Sequence, residues 1–197
     1  MVAQSGSINS LSPVGLTDGE LIHRSLGGDT HAFRLLYQRH HPKVRSLLFQ
    51  MCGEEVLDDL VQEVFLRAWR GLRQFRGSCQ FSTWLYRIAW NVATDQRRSF
   101  AKRNQKHIPV PVEGCHHLPD PDNTPSLQHL HYQQILYQGL DQLSPEHRAV
   151  IVLHDLEEVP QKEIAAILKL PIGTVKSRLF HARQALRQYL ISQGVEL

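Results

Sequence analysis

Residues 58–98 read DDLVQEVFLRAWRGLRQFRGSCQFSTWLYRIAWNVATDQRR, and they decide the fold: two apolar stripes at helical spacing flank a short polar loop. At about 100° per residue, Leu57, Leu60, Val61, Val64, Ala68, Leu72 and Phe75 fall on one side of the first helix. Asp59, Gln62, Glu63, Leu66 and Arg70 fall opposite. A leucine among carboxylates and an amide fits a docking surface, but single exposed leucines are common and fit an ordinary solvated face as well. On the second helix Leu85, Ile88, Ala89 and Val92 form the inward stripe, while Trp84, Arg87, Asn91, Thr94 and Arg98 share the other face with Trp90 on its flank. Cations interleaved with aromatics suit a single strand of nucleic acid, because the cations meet phosphates and the rings stack on unpaired bases. The same tryptophans could serve the core.

The remaining composition supports this frame. A chain of 197 residues, 42% hydrophobic, can bury one good core or two small ones. A net charge of +3 is too small to argue for nucleic acid by itself, so the position of the charges matters. They are clustered. Arg87, Arg97, Arg98, Lys102, Arg103 and Lys106 face a single Asp95, and Lys176, Arg178, Arg183 and Arg187 stand in a run without an acid. Cys52, Cys79 and Cys115 are odd in number and widely spaced, which fits a reducing compartment rather than a disulfide framework. No run is long enough for a membrane span, and residues 1–16 lack the basic start and apolar centre of a signal peptide, so a cytoplasmic location is expected.

Working outward toward the N-terminus, Thr17-Asp18-Gly19-Glu20 has the form of a capping box and opens a short helix through Leu26. Asp29 can cap the next helix, in which Pro42 is expected to produce a kink or a split. Ser82 is placed as the cap of a helix beginning at Thr83. The pairs His40-His41 and His129-x-His131 read as solvated helix-surface residues. Residues 17–106 thus form a bundle of about four helices.

Toward the C-terminus, residues 107–126 carry Pro109, Pro111, Pro119, Pro121 and Pro125 with no apolar period, so they form a linker. At about 3 Å per residue such a segment reaches roughly 60 Å, enough for two units that fold independently. Cys115, His116 and His117 within it are adjacent and lack a second ligand pair, which argues against a metal site. No cofactor is expected. Residues 127–192 form the second unit. Ser144-Pro145-Glu146 starts a helix through Leu153, Pro160–Leu168 makes a third, and the last runs from Ile172 to Leu190. Two helices joined by so short a turn read as a helix-turn-helix, whose second member enters the major groove, or as a plain helical hairpin. In that last helix Val175, Leu179, Ala182 and Leu186 face inward, and Ser177, His181 and Gln184 centre the outer face. Lys176, Arg183 and Arg187 line one flank, Thr174 and Arg178 the other, an arrangement that holds phosphates on both walls while reading base edges between them.

The segments DDLVQEVFLRAWRGLRQFRG and FSTWLYRIAWNVATDQRR resemble the second conserved region of bacterial sigma factors of the extracytoplasmic-function (ECF) group. LSPEHRAVIVLHDLEEVPQKEIAAILKLPIGTVKSRLFHARQAL resembles their fourth. The resemblance implies an all-α chain of two small helical domains, 17–106 and 127–192, with no catalytic residues of its own. It implies that Asp58, Asp59, Gln62, Glu63, Leu66 and Arg67 dock on core RNA polymerase. It further implies that Arg76, Ser78, Gln80, Phe81, Thr83, Trp84, Arg87, Trp90, Asn91 and Arg98 take the minus-ten element of promoter DNA. Thr174, Lys176, Ser177, Arg178, His181 and Arg183 would read the minus-thirty-five element, and an anti-sigma factor is an implied partner.

Three positions depart from the family pattern. Pro160 replaces a capping serine, and His181 stands where arginine is common, which makes its contact sensitive to pH. Lys169 occupies the turn, where a left-handed backbone would cost about 1 kcal/mol. Two rival classes fit less well. A response-regulator-like transcription factor would need alternating strands and helices in the N-terminal half, and a histidine-rich metalloenzyme would need a ligand motif of the HExxH kind.

Overall fold

Thr17 starts the first helix as its sequence requires. Its hydroxyl accepts from the Glu20 N–H at 3.3 Å, while the Glu20 carboxylate accepts from the Thr17 N–H at 2.7 Å. This computed structural model describes residues 15–104 and 127–195, and every regular element among them is helical. The N-terminal half contains α1 (Asp18–Leu26), α2 (Thr30–Cys52), α3 (Leu57–Gly71), a single 3₁₀ turn at Leu72–Gln74, and α4 (Phe81–Asn104). Leu21, Leu36, Leu47, Leu48, Val64 and Leu85 are fully buried where α2, α3 and α4 pack on one another with α1 against α2.

Three expectations need correction here. Helix α2 is not split at Pro42. Pro42 and Gln38, whose carbonyl the proline leaves without a helical partner, are both exposed, so water can take the bond. Helix α4 begins two residues early: the Gln80 carbonyl accepts from the Trp84 N–H at 3.2 Å, which puts Ser82 inside the first turn rather than at the cap. His40 is not solvated. It is buried, with Nε2 2.8 Å from Asp18 Oδ2, and Arg39 donates to the other Asp18 oxygen at 2.6 Å. Sequence spacing put His40 on an α2 face, but could not show that α1 folds back over that face.

The C-terminal half contains α5 (Leu127–Asp141), α6 (Pro145–Ile151), α7 (Gln161–Leu168) and α8 (Ile172–Ser192). Ser144 caps α6, accepting from the His147 N–H, with Pro145 at the first position. The α-helix stops at Ile151 and not Leu153, because Val152–Leu156 widens into a π turn. Pro160 caps α7 without a side-chain bond, and Lys169 is left-handed at φ 55° and ψ 48°, both as the sequence departures imply. Gly139 is required by close approach: a Cβ there would lie 2.7 Å from Leu186 Cδ1 and 2.9 Å from Tyr189 Cδ1, so α5 meets α8 at a glycine.

The proline-rich segment, with Cys115, His116 and His117, lies outside the described residues. The two halves are in contact. Helix α7 lies along α4, Phe49 of α2 meets Tyr137 of α5 edge-on at 6.0 Å, and Arg148 of α6 donates to the Gln50 carbonyl at 3.3 Å.

The α1–α2 junction yields a test. The hydrogen bond from His40, followed by those from Arg39, holds the Asp18 carboxyl below its ordinary range. A carboxyl depressed in the folded state contributes stability above its unfolded pKa and loses that contribution as pH falls through the folded value. Asp18→Asn is therefore expected to lower stability by about 1–2 kcal/mol near neutral pH. The deficit should shrink as denaturation curves are taken from pH 5 toward pH 3, and a deficit independent of pH would exclude this ion pair as its source.

Candidate functional site

Helix α3 is amphipathic enough to bury Leu57, Leu60, Val61, Val64 and Ala68 while presenting its other side to solvent. Asp58, Asp59, Gln62 and Leu66 are exposed on that side. Its charges are partly neutralised. Arg67 pairs with Glu63 at 2.7 Å and approaches Asp95 at 3.5 Å, and Asp58 is bonded to Arg45. The structure adds an apolar groove beside this face, lined by Phe33, Tyr37, His41, Phe65, Leu66 and Trp69. The Phe33 and Trp69 rings meet edge-on at 4.7 Å and leave Trp69 42% exposed. The i, i+3 spacing of Leu66 and Trp69 was the available signal for this groove; its α2 wall had none.

The candidate minus-ten set divides on α4 and the loop before it. Arg76, Ser78, Gln80, Arg87, Asn91 and Arg98 are exposed. Trp84 and Trp90 are half-buried and pack on the core, with Trp84 5.3 Å from Phe75 and 5.6 Å from Phe81. Phe81 and Thr83 are buried. Thr83 donates its hydroxyl to the Glu163 carboxylate of α7, and one turn on, the Tyr86 hydroxyl donates to Glu157 Oε2 at 3.1 Å. Burial and then the Glu157 charge push the Tyr86 phenol far above its usual range, so it is a permanent donor. Tyr86, Glu157 and Glu163 were missed by pattern reading, which cannot pair residues some seventy to eighty positions apart.

On α8 the buried stripe is Val175, Leu179 and Ala182, with Leu186 half-buried. Lys176, Ser177 and His181 are exposed, and Thr174 and Arg178 half-exposed, so the six candidate residues share one solvent-facing region with Arg183 at its edge. Arg183 is not free. Its Nε donates to Asp155 Oδ2 at 2.9 Å, and its Nη2 lies 3.1 Å from His154 Nδ1. Burial raises the Asp155 pKa, but hydrogen bonds from Arg183 and His154 outweigh it and hold the carboxyl below its ordinary value. Phe180 lies between Ser177 and the cationic flank and is 66% exposed, a residue its apolar character hid among core candidates. Among the described residues no group of three His, Cys, Asp or Glu could hold a metal ion, and no helix is long and apolar enough to cross a membrane.

The class that follows is an all-α protein with a helix-turn-helix at α7 and α8, the turn being Lys169–Pro171. Family models agree with it. Residues 36–103 match sigma-70 region 2 and residues 133–186 match sigma-70 region 4. The ECF RNA polymerase sigma-E factor of Escherichia coli strain K12 is 36% identical over 179 residues, 87% of this chain and 93% of the relative. That of Haemophilus influenzae is 36% identical over 176 residues, 86% and 93% of the two chains. The sigma factor RpoE of Bartonella quintana, solved with the anti-sigma factor NepR, superposes with a TM-score of 0.70 at 26% identity, covering 80% of this chain and 96% of that one. CnrH, solved with the cytosolic domain of CnrY, gives 0.66 at 27%, covering 89% and 97%. The chain belongs to the ECF RNA polymerase sigma factors. Its function is promoter-specific initiation by RNA polymerase.

The Arg183 pair gives the second test. Asp155→Asn should release the guanidinium, tighten binding to duplex DNA of any sequence, and steepen the salt dependence by up to about one counterion. An unchanged salt slope would mean that Arg183 does not reach phosphate even when freed.

Proposed function

We propose that this chain docks on core RNA polymerase through α3, takes the melted minus-ten strand on the loop 76–80 and the α4 face, and reads the minus-thirty-five element with α8. Residues 17–106 and 127–192 are the two working units of that reading. The chain contributes no bond-making chemistry and needs no cofactor, the polymerase supplying the catalysis, and it works in the cytoplasm. An anti-sigma partner is supported by the two solved relatives, each held in complex with another protein. The observation that carries the reading is that the region 4 match falls on a helix presenting Ser177 and His181 to solvent between Lys176 and Arg178, above a fully apolar buried stripe. Short hydrogen-bonding side chains reach base edges, and flanking cations reach phosphates.

On α3, Asp59 and Glu63 set the charge around Leu66. Reversing both charges should weaken association with core polymerase while leaving helical content unchanged, since neither side chain is in the core. Full polymerase binding by that variant would move the docking site elsewhere on the chain.

On α8 the geometry assigns different work to neighbours. Ser177→Ala and His181→Ala should change preference among minus-thirty-five sequences, by about 1–3 kcal/mol for a well-made base contact. Lys176→Ala should weaken binding to all duplexes nearly alike and flatten the salt slope by about one phosphate equivalent. Phe180, apolar and exposed, fits a thymine methyl group. Replacing thymine by uracil in the duplex should therefore weaken the wild type at one position and leave Phe180→Ala unmoved there. A panel of single-base changes measured at two salt concentrations separates these roles, and a sequence shift from Lys176→Ala alone would mean the reading face is rotated about the helix axis.

A further inference from the structure

The contact between the two halves is made in a particular place. Thr83 belongs to the minus-ten set, and Tyr86 and Trp90 continue its edge along α4 at helical spacing. Against this edge lie α7 and the turn before it, and the groups presented there are carboxylates: Glu163 on Thr83 and Glu157 on Tyr86, with Thr83, Tyr86 and Glu157 all buried. Glu158, exposed next to them, adds a third negative charge in a left-handed backbone conformation. Hydroxyls that would face a nucleic-acid strand are thus bonded to anions of this same chain, and a phosphate approaching the edge meets like charge. The other surfaces are left open: Lys176, Ser177 and His181 on α8, and Asp59, Gln62 and Leu66 on α3, remain exposed.

We propose that the segment Glu157–Leu168 is an internal clamp, whose two carboxylates hold α4 through Thr83 and Tyr86 and which must release before the minus-ten face can take a melted strand. This rests on the assignment of that face made above. The clamp covers one step of the process and spares polymerase docking and minus-thirty-five reading. Its grip is limited by its composition. Each carboxylate is matched with a neutral hydroxyl rather than a cation, and farther along the same side of the junction Arg97 and Arg148 repel one another, burial and then the Arg148 charge lowering the Arg97 pKa. A contact so built can open without breaking a buried ion pair.

The experiment uses the full chain and the paired variant Glu157→Ala, Glu163→Ala, neither residue lying in a docking or reading surface. Opening is read by hydrogen exchange in α4 and α7. Binding is read with a pool of single-stranded DNA about 20 nucleotides long and with a duplex carrying only a minus-thirty-five region. The variant is expected to open and to bind the single strand roughly tenfold more tightly if the open form is about a tenth of the free protein, with duplex affinity unchanged. Glu157→Gln, Glu163→Gln keeps the shape and drops the charges; it repeats the test where the alanine pair loses folded content. Unchanged exchange shows that the carboxylates do not hold the halves together and overturns the clamp. Opening with single-strand affinity equal to wild type overturns it while leaving the minus-ten assignment standing. Opening with no single-strand binding by either protein removes the minus-ten assignment, and the clamp with it.

Discussion

Helix α4 packs on two sides at once, and the rest of the molecule is arranged around that demand. Leu85, Ala89 and Val92 turn toward α2 and α3, while Thr83 and Tyr86 turn toward α7. A helix serving a single core needs an apolar stripe of about 100°; a second packed side widens the buried arc and leaves a narrow sector for solvent. That sector holds Arg87, Asn91 and Arg98. The indoles of Trp84 and Trp90 sit at its borders, half in the core and half available, which suits a large ring with one polar atom. The two readings of these tryptophans, core and nucleic-acid platform, describe opposite edges of the same side chains.

Electrostatics sorts cations that a sequence count treats alike. Arg45, Arg67 and Arg183 are each bonded to carboxylates, so their charge is largely spent within the fold. Exposed pairs of this kind contribute roughly 0–1 kcal/mol to stability, but they lower the net charge a polyanion meets by a whole unit each. The mild net charge of +3 therefore conceals a contrast. Lys176, Arg87 and Arg98 are exposed on the faces assigned to DNA, whereas much of the remaining positive charge is answered locally.

Local signals were legible in the sequence wherever the physics is local. The capping box at Thr17, the Ser144-Pro145 start of α6, the buried stripes of α3 and α8 and the left-handed Lys169 each depend on residues within a turn or two, and the structure contains all of them. The α3 docking face and the polar face of α8 were legible for the same reason. Long-range covering was not. His40 is buried because α1 returns to it, Tyr86 because α7 covers it, and Arg183 is tied down because a π turn carries Asp155 to within reach. Pro42 erred in the other direction, since a rule about missing hydrogen bonds takes no account of water at an exposed position.

The segment Val152–Val159 shows how those long-range effects share one physical origin. Val152, Leu153 and Val159 anchor it in the core, and the bonds Glu157 N–H to Val152 carbonyl at 3.0 Å and Val159 N–H to Leu153 carbonyl at 2.8 Å close it into a rigid turn. The π widening reorients successive side chains relative to an α-helix, so that Asp155 points to Arg183 on α8 while Glu157, two residues later, points to Tyr86 on α4. In a continued α-helix those carboxylates would be separated by about 200° around the axis at fixed rise. Here the turn ends instead at Glu158 with φ 54°, a conformation that a non-glycine residue holds only when its neighbours are fixed. One short, strained turn thus connects the edge of the minus-thirty-five helix with the edge of the minus-ten helix. Because its backbone is pinned by buried valine and leucine, neither carboxylate can be displaced by sliding the turn as a whole; each contact has to be broken at its own side chain.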